Sequence, residues 1–469
     1  VAPALAALAP STVGGQRVNK AGRTNASRFE TFCIALLCWA GTGAAPVAAG
    51  QLDVGLGFAL TRDSNVNQSS TNPSADWTEQ LFGGFGYQEI GAELNARAVG
   101  QVERRHFLRN SFQDDNGFFF DGSGVWTISP RRFTWTVEDV YREINLVASA
   151  PNTPDNRTKT NSLNTGPEFV FRVDPANVPV IGARYGRFYI DGPGGNQRYT
   201  LYARWLHQMS APTTLSLNFE ATRAHFDPPA LYTDLSRKDL FLRYEVLQLS
   251  NRQTIDFGTT RLAQYGGEDL SGRLARYVAE LLPTSESALR LLLTDQISDT
   301  YSDLIRAAIT PTTTGIQADA VAVPFTVANA AAGDVYHSQR GEFAYLRRGE
   351  PLGYTLQAYA QRVDYNTLPQ DYRERGGRFS LSWLLSVEAQ AYAYTQYSRR
   401  TFSSIEEHDA DRNKGVGVVY KLGRALSLTV EAGQIERQST VPEATFVDRR
   451  LMLILGYSTG PLYSPRTRR

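Results

Sequence analysis

The feature that most constrains this chain is the length of its two-residue alternation. Leu52, Val54, Leu56, Phe58 and Leu60 are separated by Asp53, Gly55, Gly57 and Ala59. A strand with that period carries apolar side chains on one face and small or polar ones on the other. The period returns throughout: Leu94, Ala96, Ala98 and Val102 against Asn95, Arg97, Gln101 and Glu103; Leu215, Leu217, Phe219 and Ala221 against Ser216, Asn218 and Glu220; Leu426, Leu428 and Val430 against Ser427, Thr429 and Glu431. These segments run for about 10–14 residues, against about five or six in ordinary globular strands. A tilted strand needs about 9–11 residues to cross a bilayer, so length argues for a membrane barrel more strongly than alternation does.

The connections sort into two alternating kinds. Short turns fall near Tyr87-Gln88, Ser129-Pro130-Arg131, Asp174-Pro175-Ala176-Asn177, Ser210-Ala211-Pro212, Asn251-Arg252 and Pro283-Thr284-Ser285-Glu286. Others fall near Arg348-Gly349-Glu350-Pro351, Ser386-Val387 and Leu422-Gly423-Arg424. Their Pro, Gly, Asn and Asp content suits tight hairpins. Longer polar stretches occupy 62–75, 104–116, 146–161, 227–237, 299–334, 365–374, 400–411 and 439–445. The expected fold is all-β: one large antiparallel transmembrane β-barrel of about 20 strands, in a range of roughly 16–22, with short periplasmic turns and long external loops. Residues 271–308 read as a hairpin split at Pro283-Thr284-Ser285, with an amphipathic helix pair as the alternative.

The first 49 residues read as a signal peptide and leader. Arg17, Lys20, Arg23 and Arg28 precede the apolar run Phe32–Trp39, and Val47-Ala48-Ala49 forms a small-residue exit. Residues 50–458 are expected to form the barrel and 459–469 a periplasmic tail. The chain carries 48 Lys+Arg against 47 Asp+Glu, a net charge of +1, and removing a leader of net +3 leaves about −2. That balance offers no electrostatic case for nucleic acid. The only cysteines, Cys33 and Cys38, fall in the leader. The rest of the chain therefore holds no disulfide scaffold, no cysteine-ligated metal and no thiol nucleophile. No run of 18 apolar residues marks a membrane helix.

Catalytic motifs are missing: there is no Gly-x-Ser-x-Gly elbow, no His-Glu-x-x-His pair and no phosphate-binding glycine loop. No catalytic residue, metal site or cofactor is expected. His106, His207, His225, His337 and His408 are scattered, and none stands at ligand spacing from another. Asp409, Asp411 and Asn413 open like a calcium loop, but Lys414 stands where that loop needs glycine and Tyr420 where it needs glutamate. The alternation assigns Glu93, Arg97, Arg204, Glu220, Arg243, Glu245, Asp256, Arg378 and Glu431 to the lumen wall. In an open pore such charges tune selectivity; in a filled one they pair with each other. Small inward residues, among them Gly55, Gly57, Ser216, Ser380, Ser382 and Ser427, favour water in the lumen, and 299–334 is long enough to narrow it. Aromatics near strand ends, Trp77, Phe118 to Phe120, Trp126, Phe133, Trp135, Tyr185, Tyr189, Tyr392, Tyr394, Tyr397 and Tyr457, suggest girdles at the membrane interfaces.

Several stretches resemble the outer-membrane β-barrels found beside bacterial exopolysaccharide and PEP-CTERM (exosortase) loci. They are Asp63-Ser64-Asn65-Val66, Leu270-Ser271-Gly272 through Asp299-Thr300-Tyr301, Arg375-Gly376-Gly377-Arg378-Phe379, and Asp448-Arg449-Arg450 before an apolar strand. The resemblance spans most of the chain after the leader through spacing and turn chemistry, and transfers no active site. It implies a channel or export pore of the bacterial outer membrane linked to exopolysaccharide synthesis or secretion. The implied partners are outer-membrane lipid, polysaccharide and periplasmic export components. A non-conducting scaffold and a barrel enzyme with its site on the outer loops are the alternatives.

Overall fold

A computed structural model describes residues 50–145, 150–191, 195–227, 234–265, 269–299, 301–303, 335–366, 371–403 and 407–463. The expected leader and residues 464–469 lie outside them. The chain runs β1 (Gln51–Asp63), β2 (Asp76–Ile90), β3 (Leu94–Phe107), β4 (Asp115–Ser129), β5 (Phe133–Asn145), β6 (Arg157–Val170) and β7 (Asn177–Ile190). It continues through β8 (Asn196–Ser210), β9 (Thr213–Phe226), β10 (Leu235–Leu247), β11 (Asn251–Gln264), β12 (Leu270–Thr284), β13 (Ser287–Asp299) and β14 (Val335–Arg347). It ends with β15 (Leu352–Tyr365), β16 (Tyr372–Leu384), β17 (Ala389–Phe402), β18 (His408–Lys421), β19 (Leu426–Ser439) and β20 (Phe446–Ser458). The 20 strands form one sheet of antiparallel sequence neighbours, and β20 pairs with β1 to close it. Closure leaves no strand edge unpaired, the condition for crossing a lipid layer. Residues 271–299 form the expected hairpin, β12 and β13, rather than helices.

The alternation sorts the faces as expected. Leu52, Val54, Leu56 and Phe58 are exposed on the outside, while Asp53, Gly55, Gly57 and Ala59 are buried on the inside. Leu217, Leu240, Leu242, Phe257, Leu451, Leu453 and Leu455 extend the apolar exterior around the wall. Trp126, Trp135, Trp205, Trp383 and Tyr457 stand exposed on that exterior toward the short-turn end, where Phe133 and Phe169 also stack at 4.7 Å. The expected girdle is thus present at that rim. Tyr392, Tyr394 and Phe119 do not belong to it: they face inward. On β17 the outward positions are Ala391, Ala393 and Thr395, so the tyrosines there are the interior set.

Strands extend further into the connections than expected. Tyr87 and Gln88 lie within β2, and the turn falls at 91–93. Asn251 and Arg252 begin β11. At the long-loop end, 191–195 and 265–269 are brief, so the contrast between rims is less regular than the polar stretches suggest. In the turn before β7, Asp174 accepts hydrogen bonds from the Asn177 side chain and from the backbone N–H of Ala176 and Asn177, each 2.8 Å. These donors hold its carboxyl below the usual carboxylate range.

Two stretches singled out in the sequence meet at the seam. Arg450 on β20 sits 2.6 Å from Asp63 on β1 and 2.8 Å from Asp448. Asp448, fully buried, accepts the Asn65 backbone N–H at 2.9 Å, and the Ser64 hydroxyl accepts the Arg449 N–H at 2.7 Å. Asp63-Ser64-Asn65 and Asp448-Arg449-Arg450 thereby latch the first strand to the last.

Candidate functional site

The barrel interior is the candidate site. Of the charges assigned to it, Arg97, Arg204, Glu220, Arg243, Glu245, Asp256, Arg378 and Glu431 lie on inward positions of their strands. Glu93 does not. It is exposed in the turn between β2 and β3, because β2 runs on to Ile90.

Most inward charges are matched by neighbours. Arg243 grips Asp256 with two hydrogen bonds of 2.7 and 2.9 Å, and Arg276 approaches the same carboxylate at 3.6 Å. Arg204 lies 3.8 Å from Glu168 and 4.5 Å over the Tyr202 ring. Arg378 stands 5.7 Å over Tyr394. Sequence reasoning missed several stronger pairs. Arg400 donates to Glu374 at 2.9 Å, Arg237 to Asp239 at 2.9 Å and Arg437 to Asp411 at 2.7 Å. Their signal is the same parity on the same strands, hidden because each pair sits close to a strand end that reads in the sequence as a polar connection.

Three inward tyrosines share one construction. Tyr392 on β17, Gly417 on β18 and Glu431 on β19 are register partners, and the Tyr392 hydroxyl donates to Glu431 at 2.7 Å. The ring crosses where a Cβ on Gly417 would stand, so glycine is required there. Tyr394 crosses Gly415 in the same way and donates to Glu431 at 2.9 Å. Tyr202, Gly182 and Glu168 repeat the arrangement on β8, β7 and β6, with a bond of 2.9 Å. The small inward residues do not all mark open water: the Phe82 ring fills the space over Gly57, and Tyr463 that over Gly55 and Gly84.

Two segments fold into the lumen. At the end of β13, Asp299 takes a bidentate grip from Arg198 on β8 at 2.8 and 3.1 Å. Tyr301 is buried against Phe188, beneath the Arg198 guanidinium at 4.4 Å, and donates to the Leu163 carbonyl at 3.3 Å. Gly186 leaves room for that ring. Asp303 is held by Ser298 at 2.5 Å and Tyr336 at 2.6 Å. The start of the long β13–β14 connection is thus pinned to the inner wall of β6–β8, five to seven strands away from its root. Residues 304–334 lie outside the described residues. At the short-turn end, residues 459–463 turn back inside the barrel. Tyr463, 3% exposed, donates to Gln101 at 2.9 Å, and Asp53 accepts the Leu462 N–H at 2.6 Å. A cavity of about 310 Å³ remains between the walls of β1–β6 and β15–β20, lined by Arg105, Glu374, Arg400 and Arg437 among others.

Among the described residues no cluster of His, Cys, Asp or Glu is arranged to hold a metal. Asp411 is engaged with Arg437, and Lys414 points outward, so the run Asp409, Asp411, Asn413 forms no calcium loop. The histidines are bound individually: His106 to Asp114 at 2.7 Å, His225 to Asp234 at 2.6 Å, His337 to Asp295 at 2.6 Å, His207 to Asn177 at 3.0 Å and His408 to Thr401 at 3.2 Å.

No protein-family model matches the sequence, and no curated protein matches it. Solved structures do. The ferric enterobactin receptor PfeA, in complex with BCV-L6, is 10% identical over 87% of this chain and 82% of its own, with a TM-score of 0.43. OpdK of Pseudomonas aeruginosa, solved with vanillate, is 9% identical over 87% and 99%, with a TM-score of 0.37. A loop-deletion form of OmpT, an outer-membrane protein of Vibrio cholerae, is 9% identical over 87% and 99%, with a TM-score of 0.32. The closed sheet, its apolar exterior and its aromatic rim around a charged interior make this protein a β-barrel of the bacterial outer membrane.

Proposed function

We propose that this protein is a channel whose pore is narrowed by the segment following β13. The observation that carries the reading is the seat of Asp299, the last residue of β13, and of Tyr301 just beyond it on the far inner wall. Around twenty strands enclose more space than side chains alone fill, since barrels of about 16–18 strands already leave aqueous channels. Polysaccharide is the cargo we propose. The resemblance to barrels of exopolysaccharide loci supports it, as do the half-buried inward rings of Tyr392 and Tyr394, surfaces on which sugars stack.

The test is single-channel conductance in planar bilayers. Arg198→Ala, which frees Asp299, and deletion of residues 310–330 should each raise conductance while the barrel still assembles. Unchanged conductance in both would place the segment outside the conduction path. If neither these forms nor the parent conducts, the paired interior charges belong to a non-conducting scaffold instead. Oligosaccharide added to a conducting barrel should produce transient blockade, and its absence would sink the cargo reading.

A further inference from the structure

We propose that the outer face of β11–β17 binds a phosphorylated glycolipid of the outer leaflet, with acyl chains in an apolar groove and phosphates on an arginine cluster. The inference needs only the barrel's place in the membrane and is independent of whether the lumen conducts.

The first observation is a concentration of like charge. Arg373 and Arg375 are exposed outward on β16, Arg362 on β15 and Arg399 on β17. Arg362 stands directly opposite Arg373, and Arg375 directly opposite Arg399. Like charges paired across strands repel. Arg362 is relieved by Asp364 at 2.8 Å. Among the described residues, Arg373, Arg375 and Arg399 have no carboxylate partner, whereas their inward neighbour Arg400 has Glu374. The wall thus matches most of its interior charges and leaves three cations together on its outside. An anion with several oxygens is the complement of such a cluster.

The second observation is a groove of about 980 Å³ that ends at these arginines. Its other end is lined by the outward side chains Ile255, Phe257, Tyr277 and Leu293. Gly341 and Ala360 make its floor, their small size producing the depression between larger neighbours. Asp295, on its edge, is already matched by Arg273 at 3.0 Å and His337 at 2.6 Å.

The third observation is the slope of this groove. One register row passes through Asp256, Arg276, Thr294, Arg340, Gln361, Glu374 and Arg400. Asp256 lies in the half of β11 nearer the short turns, while Glu374 lies close to the long-loop end of β16. The stagger of a closed barrel therefore carries the groove upward from β11 to β17. Its apolar end lies in the lipid-facing band, and its basic end just above Phe379 and Tyr397, where that band stops. A molecule with chains below and phosphates above fits this order; a soluble anion would use only the upper half.

Purified full-length protein in detergent micelles is incubated with bisphosphorylated lipid A, with the same lipid stripped of its phosphates, and with inorganic phosphate alone. Retention is read by native mass spectrometry. The parent should keep bisphosphorylated lipid A and bind the stripped lipid at least about tenfold more weakly, the scale of losing charge-assisted hydrogen bonds. The triple variant Arg373→Ala, Arg375→Ala, Arg399→Ala should lose lipid A to the same degree and keep parental conductance. Ala360→Trp, which fills the floor beside Arg375 and removes no charge, should also weaken retention. Equal retention of the stripped lipid, or a folded triple variant that binds like the parent, overturns the proposal. So does displacement of lipid A by millimolar inorganic phosphate, since the chains would then contribute nothing. Should the triple variant fail to assemble, Ala360→Trp decides alone, and unchanged retention overturns the site.

Discussion

At the scale of the residue, parity decides what a side chain meets. Leu217, 51% exposed, faces lipid, while Ser427, directly opposite Gly456, faces the interior. Leu217→Arg places a charge in the apolar band and should cost about 2–4 kcal/mol near the bilayer midplane. Ser427→Arg should cost little, because its head group reaches the lumen. Refolding yield read from heat-modifiable gel mobility checks the pair, and equal tolerance at both positions would mean that the faces are reversed. Parity was legible wherever leucine, valine or phenylalanine marked the outer face. It failed on β17, where outward Ala391 and Ala393 are less apolar than inward Tyr392 and Tyr394. There the tyrosines face inward because Gly415 and Gly417 open the neighbouring strand and Glu431 supplies the acceptor.

At the scale of the element, a strand must satisfy its backbone even where its sequence interrupts the ladder. Pro167 in β6 lacks an N–H, and the register between β6 and β7 skips from Thr165 to Glu168. The Arg184 guanidinium fills the gap, donating to the carbonyls of Gly166, Pro167 and Ala183, each at 3.1 Å. Arg184→Ala should leave these acceptors wanting, at about 1–3 kcal/mol for a buried unsatisfied group. Amide exchange should quicken at residues 163–169 and 182–186 while distant hairpins such as β10–β11 stay protected. Exchange that rises evenly around the barrel would show that Arg184 supports global stability instead.

At the scale of the whole molecule, closure depends on a contact between the two ends of the barrel. The β1–β20 ladder covers Gly55 to Asp63, and Asp63, Asp448 and Arg450 cluster at its long-loop end. Asp448→Ala removes a buried carboxylate that holds both Arg450 and the Asn65 backbone. Breaking such a pair costs about 3–5 kcal/mol. The gel-mobility transition of this variant should fall in temperature by more than that of a variant at an exposed pair such as Arg412–Glu436, which lies at 3.6 Å with Arg412 53% exposed. Equal transitions would remove the latch from the account of closure.

The sequence alone pointed to about 20 antiparallel strands and to the outer face, because a two-residue period sustained over a bilayer's width admits few other structures. The same parity gives the inward strand positions of charges such as Arg243, Asp256 and Glu431. Only the tertiary structure decided which charge meets which. Arg198 and Asp299 stand on strands remote in the chain, and their contact depends on how the connection after β13 turns inside the barrel. The charge of Arg373, Arg375 and Arg399 was legible in the sequence. Their convergence at the head of an apolar groove was not, since it arises from the stagger that closure imposes on strands β11 to β17. Periodicity is local and survives in the linear chain; stagger and inward folding belong to the closed ring.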